Sequence, residues 1–98
     1  MLLNDDTPIG QLLNLGPACK RWLHPIGIRT RGDLRWISLE ELYEKVKRRI
    51  PQCNGVFLYA VFGALTDTHW NDVPRDIQKQ LLEKARNIDR RLKNEKRQ

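Results

Sequence analysis

Two cysteines in 98 residues are too few to staple a small fold, so Cys19 and Cys53 are expected to stay free thiols in a reducing compartment. They make poor metal ligands too. Cys19, His24, Cys53 and His69 follow one another at spacings of 5, 29 and 16, without the close ligand pairs of a structural zinc centre. Two buried thiols and two ordinary histidines are the expectation. Long hydrophobic runs are missing as well: the longest, residues 56–65, is about half of what a membrane-spanning helix needs. Met1-Leu2-Leu3 leads straight into Asn4-Asp5-Asp6, with no basic stretch and no long apolar core, so no signal peptide is expected. A glycine-rich nucleotide loop, a phosphate-loop lysine and a nucleophile elbow are all absent. His24 and His69 have no sequence partner for acid–base work, and Cys19 has no base placed to activate it. Neither catalysis, cofactor nor metal is therefore expected. Aromatics are sparse, and Trp22, Trp36 and Trp70 fall on separate elements, which suits core or rim anchors better than one stacking surface.

What the chain has in quantity is positive charge. Eighteen Lys and Arg against twelve Asp and Glu give a net charge of +6. The excess is local, because residues 20–50 and 75–98 each carry nine basic and four acidic side chains. Clustered cations favour an anionic partner such as nucleic acid or an acidic protein face. Length allows one domain with a modest core.

The apolar periodicity is helical throughout, with no sustained alternation of period two. Thr7-Pro8 predicts a first short helix over about 7–14, and Pro17 can open a second that Pro25 stops, with Gly27 in the turn. Ala18, Trp22 and Leu23 are its core-facing residues, with Lys20 and Arg21 in its first turns. Thr30 with Asp33 predicts a short capping box for a third helix, and Ser38 with Glu41 a full one for a fourth, to about Arg49. The fifth, Val56 to Thr66, is apolar nearly all round and is the expected centre of the core, with Ala60, Gly63 and Ala64 as a narrow face on which another helix backbone can approach closely. A loop containing Trp70 leads to a cap at Asp72 or Val73. A last helix then runs from Pro74 toward residue 92, followed by a fraying tail.

On that last helix Ile77, Leu81, Ala85, Ile88 and Leu92 fall within an arc of about 80°. Arg75, Lys79, Arg86, Arg90, Lys93 and Arg97 fall within about 60° on the opposite side, near Asp76 and Glu83. Such a face is either a phosphate-binding surface or simply the solvated back of an amphipathic helix. The turn Asn14-Leu15-Gly16 before Pro17 offers a second candidate. A helix-hairpin-helix usually has glycine, an apolar residue and glycine there; Asn14 can take the left-handed conformation that the first glycine supplies. The amides of Gly16 and Ala18, with Lys20 and Arg21 beside them, are then positioned for sequence-independent phosphate contact. The same hairpin also serves as a mere connection between two helices.

These blocks carry a resemblance. Leu12-Leu13-Asn14-Leu15-Gly16-Pro17, Trp22-Leu23, Gly27-Ile28 with Thr30, Asp33-Leu34, Tyr43, Leu58-Tyr59-Ala60, Gly63-Ala64-Leu65 and His69-Trp70 resemble the TfoX C-terminal domain family over roughly residues 9–84. The resemblance implies an all-α domain of five or six helices with a helix-hairpin-helix or SAM-like arrangement, in a bacterial cytoplasm. It implies kinship with the Sxy/TfoX regulators of natural competence, which act with a cyclic-AMP receptor protein. Those regulators carry an additional N-terminal domain, whereas Met1 to Asp6 alone precede the match, so a stand-alone C-terminal domain is expected. The family supplies no catalytic residues to carry over.

The resulting expectation is a non-enzymatic regulatory module associated with DNA. The nucleic-acid contacts are placed at Asn14, Gly16, Ala18, Lys20 and Arg21, reinforced by Arg86, Arg90 and Lys93. The alternative is a SAM-like module that binds a transcription regulator, or a second copy of itself, without touching DNA.

Overall fold

The computed structural model describes residues 5–96, and of Pro17, Ala18 and Lys96 the backbone alone. The leader residues 1–4, the basic residue Arg97 and the inward side chain expected at Ala18 therefore lie outside the described residues. Five α-helices follow one another: α1 (Pro17–Leu23), α2 (Arg31–Trp36), α3 (Leu39–Arg49), α4 (Val56–Thr66) and α5 (Arg75–Lys96). Single 3-10 turns stand at Ile9–Gln11, His24–Ile26 and Trp70–Asp72. No strand occurs among the described residues, where an isolated antiparallel bridge joins Pro8 to Thr30. The chain is all-α.

The centre is as the apolar run dictates. α4 buries Phe57, Leu58, Val61, Gly63 and Ala64, and around it close Leu23 of α1, Leu34 of α2, Leu42, Tyr43 and Val46 of α3, and Leu81, Ala85, Ile88 and Leu92 of α5. The apolar stripe of α5 thus faces inward as its spacing predicts. α5 packs on α3 and α4. The ion pairs Glu40–Lys84 (3.4 Å), Glu44–Arg91 and Arg48–Glu95 (2.9 Å) climb α3 and α5 in the same direction. One polar pin lies deeper: the Tyr43 hydroxyl donates to Asp89 Oδ1 at 2.8 Å, and Lys47 pairs with the same carboxylate while donating to the Cys53 carbonyl.

The helix ends differ from expectation in three places. The first helix is only the 3-10 turn Ile9–Gln11, because this segment satisfies its backbone elsewhere. The Ile9 N–H donates to the Arg29 carbonyl at 3.0 Å, and Arg31 N–H to Thr7 at 2.8 Å; Leu12 is already extended, at φ −80° and ψ 148°. Tertiary pairing outweighs a weak local preference. Two α-helices flanking the Asn14 turn are therefore not formed, and Lys20 and Arg21 stand in the last turn of a seven-residue α1, not its first.

The caps also exchange roles. Thr30 and Asp33 form the complete reciprocal box, Thr30 Oγ1 accepting from Asp33 N–H while Asp33 accepts from the Thr30 and Arg29 amides. Those two amide bonds hold the Asp33 carboxyl below its ordinary range. Ser38 Oγ accepts from Glu41 N–H at 3.1 Å, but the Glu41 carboxylate turns along the helix to Lys45 at 3.7 Å and leaves the box half-made. At the other end, α5 starts one residue after Pro74 and continues through Lys96, so residues 94–96 are helix and not tail.

Candidate nucleic-acid interface

Asn14 holds the left-handed backbone its sequence position calls for, at φ 73°. Its side chain, however, faces inward. Nδ2 donates to the Thr68 carbonyl at 2.9 Å and to the Ala60 carbonyl at 3.3 Å, while Oδ1 accepts from Trp70 N–H at 3.0 Å. The carboxamide bolts the turn before α1 to the end of α4 and to the loop beyond it. Both polar atoms of the carboxamide are thereby used inside the fold, and the Asn14 side chain has a structural role.

The bolt needs Gly63. A Cβ there would stand 2.2 Å from the Thr68 oxygen and 2.4 Å from Asn14 Nδ2. At Gly63 the narrow face of α4 meets the loop after α4 at close range, where the backbone of another helix was expected. Asp67 at φ 55° ends the helix, and the amides of Asp67 and Thr68 both donate to the Gly63 carbonyl, the left-handed stop of many helices.

The other candidates separate into two groups. Gly16 is the exposed residue before α1, extended at φ −90°, and its backbone bonds toward the Cys19 thiol. Ala18 follows within α1. Lys20 and Arg21 are exposed, carry no ion pair among the described residues, and line a surface groove with His24 and Pro25 of about 550 Å³. The aliphatic stem of Lys20 lies over Gly10.

The second group is on α5. Arg75, Lys79, Arg86, Arg90 and Lys93 are all exposed and none forms an ion pair among the described residues. Their neighbours on the flanks of the same helix behave differently, since Lys84 and Arg91 are held by carboxylates of α3. The cations that α3 does not neutralise form one row, from Arg75 to Lys93 about 27 Å long at helical rise. Exposed Asp76 and Glu83 border it. α1 packs on the 3-10 turns Ile9–Gln11 and His24–Ile26, and its Trp22 ring meets Phe57 of α4, whereas α5 packs on α3 and α4.

One juxtaposition escapes sequence reasoning. Trp22 of α1 and Trp70 of the loop after α4 line a single groove of about 410 Å³ with Val56, Phe57, Gln52 and Asn54. Sequence spacing put these tryptophans on separate elements; the Asn14 bolt, which fixes Trp70 N–H, brings the elements together. Trp36 takes the opposite course. It is 77% exposed, with the Arg35 guanidinium 5.1 Å above its ring.

The thiols are chemically quiet. Cys53 is 1% exposed, and burial pushes its thiol up to about 11 from an ordinary 9.0, against the pull of Lys47. Burial also raises Cys19. Between pH 9 and 11 the unfolded chain loses the Cys53 proton and the folded chain keeps it, so stability falls as pH rises through that window, by about 1.4 kcal/mol per unit of separation. Tyr43, raised by burial and by its bond to Asp89, works in the same direction at higher pH. Urea midpoints should thus drop from neutral pH into this window, and drop less in Cys53→Ala. Equal losses in both proteins would contradict the assignment. Among the described residues, no three His, Cys, Asp or Glu side chains gather closely enough to hold a metal ion, and no helix is long and apolar enough to cross a membrane.

Comparison with known proteins decides the family. A model described as the TfoX C-terminal domain matches residues 5–85. The chain belongs to the TfoX C-terminal domain family. That is a family of regulatory domains, and its match takes in α1 to α4 and the first half of α5, leaving the stretch with Arg86, Arg90 and Lys93 just outside. The fold is also similar to the crystal structure of an uncharacterized protein from Listeria monocytogenes, at 19% identity and a TM-score of 0.78, covering 85% of this chain and 94% of that one. At that identity the likeness concerns the fold alone. No curated protein matches the chain at a significant level.

Proposed function

We propose that this TfoX C-terminal domain is a non-enzymatic regulatory module that associates with DNA through the outer face of α5, in the manner of a transcription or competence regulator. The observation that carries the reading is the row of unneutralised cations. Arg86, Arg90 and Lys93 stand exposed and without carboxylate partners while α3 neutralises the flanks of the same helix. A polar back of an amphipathic helix needs no such segregation of charge. Contacts from such a row go to phosphates and are blind to base sequence. Lys20 and Arg21 add a second basic point on α1.

The double substitution Arg86→Glu/Arg90→Glu tests this. Both residues are exposed, so the fold is expected to survive. Binding to a labelled random duplex, followed by fluorescence anisotropy, is expected to weaken at least about tenfold, and the log–log salt slope to shrink by about 2. An unchanged affinity and slope would overturn the α5 interface. The exposed Trp36 under Arg35 favours a second reading, since Trp and Arg dominate protein–protein hot spots. In that reading the domain binds a regulator protein or a second copy of itself.

A further inference from the structure

We infer that the domain holds two duplex segments at once, one along α5 and a second against Lys20 and Arg21 of α1, and so bridges them. The inference rests on the nucleic-acid reading above and extends it from one duplex to two. Its ground is where the two basic surfaces stand about α4. A Cβ at Gly55 would meet Leu82 and Ala85 of α5, at 2.7 and 3.4 Å. Phe57 instead meets the Trp22 ring of α1, at 5.8 Å between centroids. Gly55 already has helical backbone, with φ −60° and ψ −22°, so Phe57, two residues on, points about 160° away from it around α4. α1 and α5 therefore flank α4 on opposite sides.

Each of the two helices turns its cations away from α4. On α1, Cys19 and Trp22 mark the side packed against the core, and Lys20 and Arg21 each lie about 130° around the helix from the middle of that side. On α5, the row from Arg75 to Lys93 is centred about 150° from the buried stripe of Ile77 to Leu92. Packed helices keep their axes about 8–10 Å apart, so roughly 16–20 Å separates the axes of α1 and α5 across α4. The outward reach of the cations widens that distance. A straight duplex laid along α5 thus leaves Lys20 and Arg21 uncovered. Charge complementarity then selects their occupant. With His24 and Pro25 they line a groove that has no carboxylate on its walls, and both are exposed. A second phosphate backbone suits this surface as the first suits α5.

The test loads the full chain at low salt onto an immobilised random duplex and then adds a labelled duplex of unrelated sequence. The wild-type chain is expected to retain the labelled duplex, and native mass spectrometry to find one protein with two duplexes. Two cations serve the second site, so its affinity should fall with a log–log salt slope of about 2, shallower than that of the α5 row. Lys20→Glu/Arg21→Glu should cut retention at least about tenfold while costing the first duplex no more than about threefold. Lys20→Gln/Arg21→Gln, which reverses no charge, should act in the same direction to a smaller degree. Retention untouched by both α1 variants, or a complex that contains two copies of the protein, would overturn the inference in favour of bridging by a dimer. Firm binding of one duplex without retention of a second would also overturn it, and would turn Lys20 and Arg21 over to an acidic protein surface. The α5 interface would stand in that case, whereas loss of all duplex binding by the folded protein would remove both.

Discussion

Gly63→Ala is expected to lower the melting temperature by about 10–25 °C, the equivalent of roughly 2–4 kcal/mol in a domain of this size. In an ordinary helix interior the same change would stabilise, because alanine is the better helix former by about 1 kcal/mol. Here the new methyl carbon would stand 2.2 Å from the Thr68 carbonyl oxygen and 2.4 Å from Asn14 Nδ2. Neither neighbour can retreat alone. Thr68 N–H is bonded to the Gly63 carbonyl at 2.8 Å, and Asn14 is bonded to both Ala60 and Thr68. Relief therefore requires the loop after α4 to move as a unit, with loss of hydrogen bonds worth about 1 kcal/mol each on top of the overpacking. Thermal melting followed by circular dichroism reads the outcome. An unchanged or raised midpoint, as propensity by itself predicts, would show that the close approach at Gly63 does not exist.

The second large effect belongs to the partner of that contact. Asn14→Ala removes three hydrogen bonds, two donated to Thr68 and Ala60 and one accepted from Trp70. It also forces alanine to hold φ 73°, a left-handed backbone that costs about 1 kcal/mol without glycine or a short polar side chain. A loss of about 2–4 kcal/mol is expected. Asn14→Gly separates the two causes, because glycine relieves the backbone and still loses the bolt. It should recover only the smaller part of the loss. Full recovery in Asn14→Gly would mean that the carboxamide contributes nothing, and the interlock of turn, α4 and loop would have to be abandoned. Because the two sites touch, Asn14→Ala and Gly63→Ala should combine to less than the sum of their separate effects.

These residues also show which features the sequence makes legible. α4 from Val56 to Thr66 and the inward stripe of α5 are readable because periodicity and apolar density are local properties. The Thr30–Asp33 cap and the left-handed Asn14 are readable for the same reason, since both follow from short-range chemistry. The first element is not, because Ile9 and Thr7 are paired with Arg29 and Arg31, some twenty residues away. Asn14 is half legible. Its backbone follows from its neighbours, but its side-chain partners Ala60, Thr68 and Trp70 lie far along the chain. The groove between Trp22 and Trp70 is a product of that bolt, and spacing alone places its walls on unrelated elements. Of the interface, the basic row on α5 was visible as an arc of cations. Spacing alone does not separate the cations that α3 neutralises, Lys84 and Arg91, from those that remain open, Arg86, Arg90 and Lys93, because that depends on how α3 packs against α5.

The measurement that bears most directly on the α5 interface is amide chemical-shift mapping by NMR during titration of the wild-type protein with a short random duplex at low salt. The account predicts fast-exchange shifts concentrated along α5 at Lys79, Arg86, Arg90 and Lys93, fading as salt is raised. The amides facing α3 and α4 should stay in place. Shifts confined to Trp36 and its surroundings, or none at all from a folded protein, would contradict it.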